Sequence, residues 1–122
     1  MPVTLGLDFI RRTLAGWGLL GHGPRRGLLD DVLQVTTELL ANACVYGRGI
    51  RELVLEHRLG VLRVEVSDHS PAPPHRRTPT FGYPGGYGLL VVERLATCWG
   101  TTADTAGKRV WAELLTTHPR WC

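Results

Sequence analysis

A carboxylate and a carboxamide stand four residues apart at Glu38 and Asn42, inside an otherwise apolar stretch. On a helix, residues at i and i+4 lie about 5–6 Å apart at Cβ, so both side chains can reach one ligand. A carboxylate can orient or deprotonate a nucleophile, and a carboxamide oxygen can bind a hard cation such as magnesium. A second carboxylate, Asp68, ends a run in which Leu62, Val64 and Val66 alternate with Arg63 and Glu65. Asp68 has the parity of the apolar set, and a carboxylate continuing an inward-facing row needs a partner. Two readings of it carry equal weight: a site residue, or a cap or turn former ahead of Ser70 and Pro71. The third feature is Gly85-Gly86-Tyr87-Gly88, which leads directly into an apolar run over 89–96. Glycines at a helix N-terminus let backbone N–H groups approach an anion, and the helix dipole favours negative charge there. The pattern is neither a G-x-G-x-x-G fingerprint nor a Walker A loop. Each feature also has a plain reading: a solvated helix face for Glu38 and Asn42, a surface insertion for the loop.

The elements that must position these groups follow from periodicity. Leu29, Leu33, Thr36, Leu40 and Ala43, flanked by Val32 and Leu39, predict a helix over about 26–46. Glu38 and Asn42 fall on its opposite side, with Asp31 above them. Gly47, with Gly49 soon after, is placed to end it as a left-handed C-cap. An earlier helix is predicted over 5–19, with Leu7, Ile10, Leu14 and Trp17 on one stripe, ended by Gly21-His22-Gly23-Pro24. Strands over 53–57 and 61–66 are joined through Arg58-Leu59-Gly60. A helix over 89–96 and two strands near 97–102 and 108–115, about a turn at 104–107, complete the order. Between Pro71 and Gly88 the periodicity breaks down, with prolines at 71, 73, 74, 79 and 84 and four glycines. A loop of this length in a small domain is often a lid over a binding site.

Composition narrows the classes. At 122 residues and 43% hydrophobic, the chain suits a single domain with a single core. A net charge of +3, with short pairs such as Arg76-Arg77, suits an anionic ligand without predicting nucleic-acid binding. The three cysteines, Cys44, Cys98 and Cys122, have no metal-ligand spacing and suggest no disulfide framework; Cys44 reads as a buried free thiol. The five histidines form no metal motif. No stretch approaches the ~20 apolar residues of a membrane span, and the N-terminus has the wrong order of charge for a signal peptide. The expectation is a cytoplasmic, reduced protein, with the tryptophans in the core or at an interface.

Taken in order, these motifs resemble the ATP-binding (GHKL-type, Bergerat) fold shared by DNA gyrase, histidine kinases and MutL. They are most similar to its compact bacterial branch, the anti-sigma-factor serine/threonine kinases. Glu38-Leu-Leu-Ala-Asn-Ala-Cys-Val-Tyr-Gly47 resembles that family's N box, and Val66-Ser-Asp68 the start of its first glycine box. Gly86-Tyr-Gly-Leu-Leu-Val-Val92 with Ala96-Thr-Cys-Trp-Gly100 resembles its second box and following strand. Gly107-Lys-Arg-Val-Trp-Ala-Glu-Leu114 resembles its closing strand. The resemblance implies an α+β, two-layer sandwich with a mixed, mainly antiparallel sheet and helices on one face, one domain over 1–122 with a lid over about 71–88. It implies ATP and Mg2+ as cofactors. Asn42 is then the magnesium ligand, Glu38 the general base, and Asp68 the acceptor of the adenine amino group, its partner being the ligand. Gly86, Gly88 and Leu89 close the lid around the phosphates. The chain departs from the family at Tyr46, where histidine is usual, at Tyr87, where arginine is usual between the lid glycines, and at Arg109, read as replacing the threonine near adenine.

Three functions follow. The first is an anti-sigma-type kinase that phosphorylates a serine or threonine on an antagonist (anti-anti-sigma) protein and sequesters a sigma factor. The second is a nucleotide-responsive interaction module without turnover. The third is a nucleic-acid binder with a vestigial pocket. Glu38 favours the first and the altered lid the second. The third lacks an aromatic-and-basic stripe, so no direct nucleic-acid or membrane partner is expected. The first strand of the pattern is left as an open edge, available for a partner or a homodimer.

Overall fold

Leu62, Val64 and Val66 alternate with polar residues, and Val110, Ala112 and Leu114 alternate with Arg109, Trp111 and Glu113. Each set must face the same apolar layer, which makes two half-buried strands the natural outcome. The computed structural model describes residues 3–20, 26–73 and 89–116. Its element order is α1 (Val3–Gly16), α2 (Leu28–Val45), β1 (Ile50–Arg58), β2 (Val61–Asp68), α3 (Leu89–Leu95), β3 (Cys98–Asp104) and β4 (Gly107–Leu115). The sheet runs β1-β2-β4-β3, and all three pairings among these strands are antiparallel. The helices pack on one face, giving the expected α+β two-layer sandwich.

The core lies between α2 and the inner rows of β2 and β4. Val32, Val35, Leu39, Leu40 and Ala43 meet Leu62, Val64, Val110 and Ala112, with Ile10 and Leu14 of α1 and Leu89 and Val92 of α3 closing the flanks. Full burial of each valine, leucine or isoleucine among them stabilises by roughly 1.5–3 kcal/mol. α2 touches α1, α3, β1, β2 and β4, so it is the central element and is covered around most of its circumference. Asp30 and Asp31 in its first turn complement the helix dipole. Among the described residues, the opposite face of the sheet carries no helix. There Arg63 bridges Glu65 at 2.6 Å and Glu113 at 3.1 Å and lies over the Trp111 ring.

The hairpin turn at Leu59 and Gly60 has positive φ at both residues, 53° and 76°, the two-residue geometry that matches strand twist. The Gly60 carbonyl accepts hydrogen bonds from the backbone N–H and hydroxyl of Thr116, fixing the end of β4 to this turn.

Several expectations change at this level. The left-handed residues after α2 are Arg48 and Gly49, not Gly47. Cys44 is exposed, because it falls with Asp30 and Gln34 on a side of α2 left uncovered among the described residues. Cys98 is disulfide-bonded, which wide spacing along the chain did not suggest. Trp99 and Trp111 are half-buried, but Trp17 is largely exposed, tilted against the His57 ring. Most of the expected lid, residues 74–88, lies outside the described residues, as do Trp121 and Cys122.

Candidate functional site

Glu38 and Asn42 occupy the last two turns of α2, held there by the apolar stripe that seats the helix on the sheet. They are 8% and 6% exposed, so the solvated-face reading does not hold. α1 and α3 both pack against α2, contacts that periodicity within one helix cannot reveal. Asn42 Oδ1 is buried and accepts no hydrogen bond among the described residues. An unfilled buried acceptor costs about 1–3 kcal/mol and calls for a donor or a cation. Glu38 lines a cavity of ≈ 420 Å³ with Leu7 and Arg11 of α1, Thr37 of α2 and Val91 of α3.

Asp68 lies beside the end of the same helix. The chain leaving α2 makes the contact: His69 donates its N–H to the Gly47 carbonyl at 2.8 Å. A Cβ at Gly47 would collide with Asp68 Oδ2, which is why glycine is needed there; the left-handed cap falls two residues later. A Cβ at Gly107 would likewise collide with the Asp68 carbonyl oxygen. Asp68 Oδ1 accepts the Ser70 N–H at 2.9 Å, so the turn-former reading describes it. Asp68 Oδ2 pairs with Lys108 Nζ at 2.8 Å. Lys108 also donates to the Ser70 carbonyl at 3.3 Å. Asp68 and Lys108 are 2% and 3% exposed. The partner that the inward carboxylate requires is therefore Lys108, where the sequence pattern suggested a ligand.

Arg51 adds a further tie. One extra residue in β1, between Ile50 and Glu52, forms a bulge. The bulged Arg51 donates to the Asp68 carbonyl at 3.1 Å and reaches Asp104 Oδ1 at 3.3 Å. The Asp104 carboxyl is held below its ordinary range, first by the Ala106 N–H and then by the charge of Arg51.

Register corrects the reading of Arg109. Asp68 stands opposite Lys108, and Ser67 opposite Arg109. Arg109 thus points to the outer face, exposed and 3.5 Å from Glu65 Oε1. Sequence reasoning missed Lys108, although a signal was present. Lys108 shares the parity of Val110, Ala112 and Leu114, so it continues an inward row as Asp68 does on β2.

The structure brings Glu38, Asn42 and Asp68 to one end of the molecule. Leu89, the first residue of α3, is a core residue. Gly86 and Gly88, with Tyr87, Arg76 and Arg77, lie outside the described residues.

These groups fit a magnesium-bound polyphosphate. Magnesium takes one or two protein oxygens and completes its shell with phosphate oxygens and water. Asn42 Oδ1 is one such donor, and Glu38 is a carboxylate one turn away. No cluster of three or more His, Cys, Asp or Glu that could hold a metal ion occurs among the described residues, and a site of this kind does not require one. No helix among those residues is long and apolar enough to cross a membrane.

Among curated proteins, none matches the sequence. A family profile does: that of the histidine kinase-like ATPase domain matches residues 6–114, spanning α2, the Asp68 corner and all four strands, and the chain belongs to that family.

Proposed function

We propose that this protein is an ATP-binding regulator of the anti-sigma-factor type, which transfers a phosphoryl group from Mg-ATP to a serine or threonine of an antagonist protein. The observation that carries this reading is the buried pair on α2: Asn42 Oδ1 with no donor among the described residues, and Glu38 one turn earlier beside a cavity. Membership of an ATPase domain family supports nucleotide as the ligand. ATP bound with magnesium supplies the phosphoryl group and its charge neutralisation. Asn42 holds the cation through its carboxamide oxygen. Glu38 orients the acceptor hydroxyl and takes its proton as the oxygen attacks the γ-phosphorus and ADP departs. Gly86, Gly88 and Leu89 are assigned to the closing lid and Asp68 to the base end, modified as argued below. The partners in this reading are a sigma factor and its antagonist, in the cytoplasm, with the β1 edge open to a second copy.

The second reading, a nucleotide-responsive module without turnover, is favoured by Tyr87 in place of an arginine between the lid glycines. Titration with Mg-ATP separates the two when Asn42→Ala and Glu38→Ala are compared. Asn42→Ala is expected to weaken magnesium-dependent binding at least about tenfold. Glu38→Ala is expected to retain binding and lose transfer or hydrolysis, a change the module reading does not produce. If Asn42→Ala binds Mg-ATP as tightly as the parent, the cation role is wrong.

A further inference from the structure

We propose that Lys108 takes the hydrogen-bonding place on Asp68 that a nucleobase amino group would take, so that this site holds nucleoside triphosphates by the phosphate end and does not select the base. The inference rests on the nucleotide-binding reading above and concerns the other end of the same ligand.

An inward carboxylate at the end of β2 would select a base through an exocyclic amine, a neutral N–H donor. A carboxylate has acceptor sites on both oxygens. Here Oδ2 is 2.8 Å from the Lys108 ammonium and Oδ1 is 2.9 Å from the Ser70 N–H. The ammonium is a charge-assisted donor, stronger than a neutral amine. It is anchored a second time by the Ser70 carbonyl at 3.3 Å. A base amine that displaced it would leave a cation buried without its counter-charge, which is unfavourable. Space is also short. The Gly47 backbone lies against the carboxylate and the Gly107 backbone against the Asp68 carbonyl, closely enough that neither position has room for a Cβ. Arg51 fills the Asp68 carbonyl as well. One turn before the end of α2 the opposite holds, because Asn42 Oδ1 accepts nothing among the described residues. The unfilled capacity lies at the cation and phosphate end, and the base end is satisfied by the protein itself.

The test is isothermal titration of the full chain with ATP, GTP, CTP and inorganic tripolyphosphate, each with magnesium, repeated on Lys108→Thr. For the parent, the three nucleotides are expected to bind within about threefold of one another, and tripolyphosphate within about tenfold of them. Lys108→Thr frees Asp68 and is expected to favour ATP over GTP and CTP by about tenfold, leaving tripolyphosphate unchanged. A parent that prefers ATP over GTP and CTP by tenfold or more overturns the inference while leaving nucleotide binding intact. So does a folded Lys108→Thr with the parent's flat profile. The parent's panel alone decides the matter if thermal melting shows that the variant does not fold. A parent that binds none of the four ligands overturns this inference and the nucleotide reading together.

Discussion

Asn42 and Asp68 are both polar, both nearly inaccessible, and both at the C-terminal end of α2, yet the fold treats them in opposite ways. Around Asp68 the donors come from within, an ammonium from β4 and a backbone N–H from the turn after β2, and two glycines let the chain close in. Asn42 is as well shielded from water, but its carboxamide oxygen receives no donor among the described residues. A satisfied buried group contributes to stability; an unsatisfied one detracts from it and is retained where a ligand completes it. The contrast divides the candidate site into a structural corner and a binding corner.

Substitutions can break or sharpen that division. The largest effect is expected at the structural corner. Lys108→Met leaves the Asp68 carboxylate buried without its cation and should destabilise by about 3–5 kcal/mol, measured by urea unfolding. The double variant Asp68→Asn/Lys108→Met should recover part of that loss, since no charge then remains buried. Gly47→Ala should cost about 1–3 kcal/mol, because its methyl group overlaps Asp68 Oδ2 and the carboxylate must shift. Asn42→Ala should change stability by about 1 kcal/mol or less, despite similar burial, because the acceptor it removes has no donor among the described residues. A loss as large as that of Lys108→Met would erase the division.

The smallest effect is expected at Asp104, on the tip that Arg51 ties to Asp68. Its carboxyl is depressed by the Ala106 N–H and by Arg51, so its folded value lies below the unfolded one. The corresponding stabilisation is complete above the unfolded value, about 3.9, and fades as pH falls through the folded value. Asp104→Asn should flatten that acid limb of the melting-temperature profile, lying slightly below the parent at neutral pH and converging with it in acid. A slope that survives the substitution assigns the acid sensitivity to other carboxylates.

Much of this architecture is legible in the chain, and particular residues show where legibility stops. Apolar spacing places α2 within two residues at each end, since 3.6-residue periodicity is a local property. The same periodicity puts Glu38 and Asn42 on the face away from the sheet. It cannot say which neighbouring elements pack there, so a solvated pair and a buried pair look alike. Alternation places Asp68 inward but does not name what it meets. Cys44 and Trp17 fail for the related reason that burial on a helix depends on which neighbours arrive.

The sequence by itself determined the elements, their order, the facing of Glu38 with Asn42, and the inward parity of Asp68. These depend on spacings within one element, where backbone geometry fixes the answer. Only the tertiary structure decided that Lys108 stands opposite Asp68 and that Arg109 points away. β2 and β4 lie some 40 residues apart in the chain, and their register is set by the packing of whole rows against α2. Because a strand alternates with a period of two, a slip of one residue exchanges an inner side chain for an outer one. That single residue of register separates an exposed arginine from a buried lysine that pairs with Asp68.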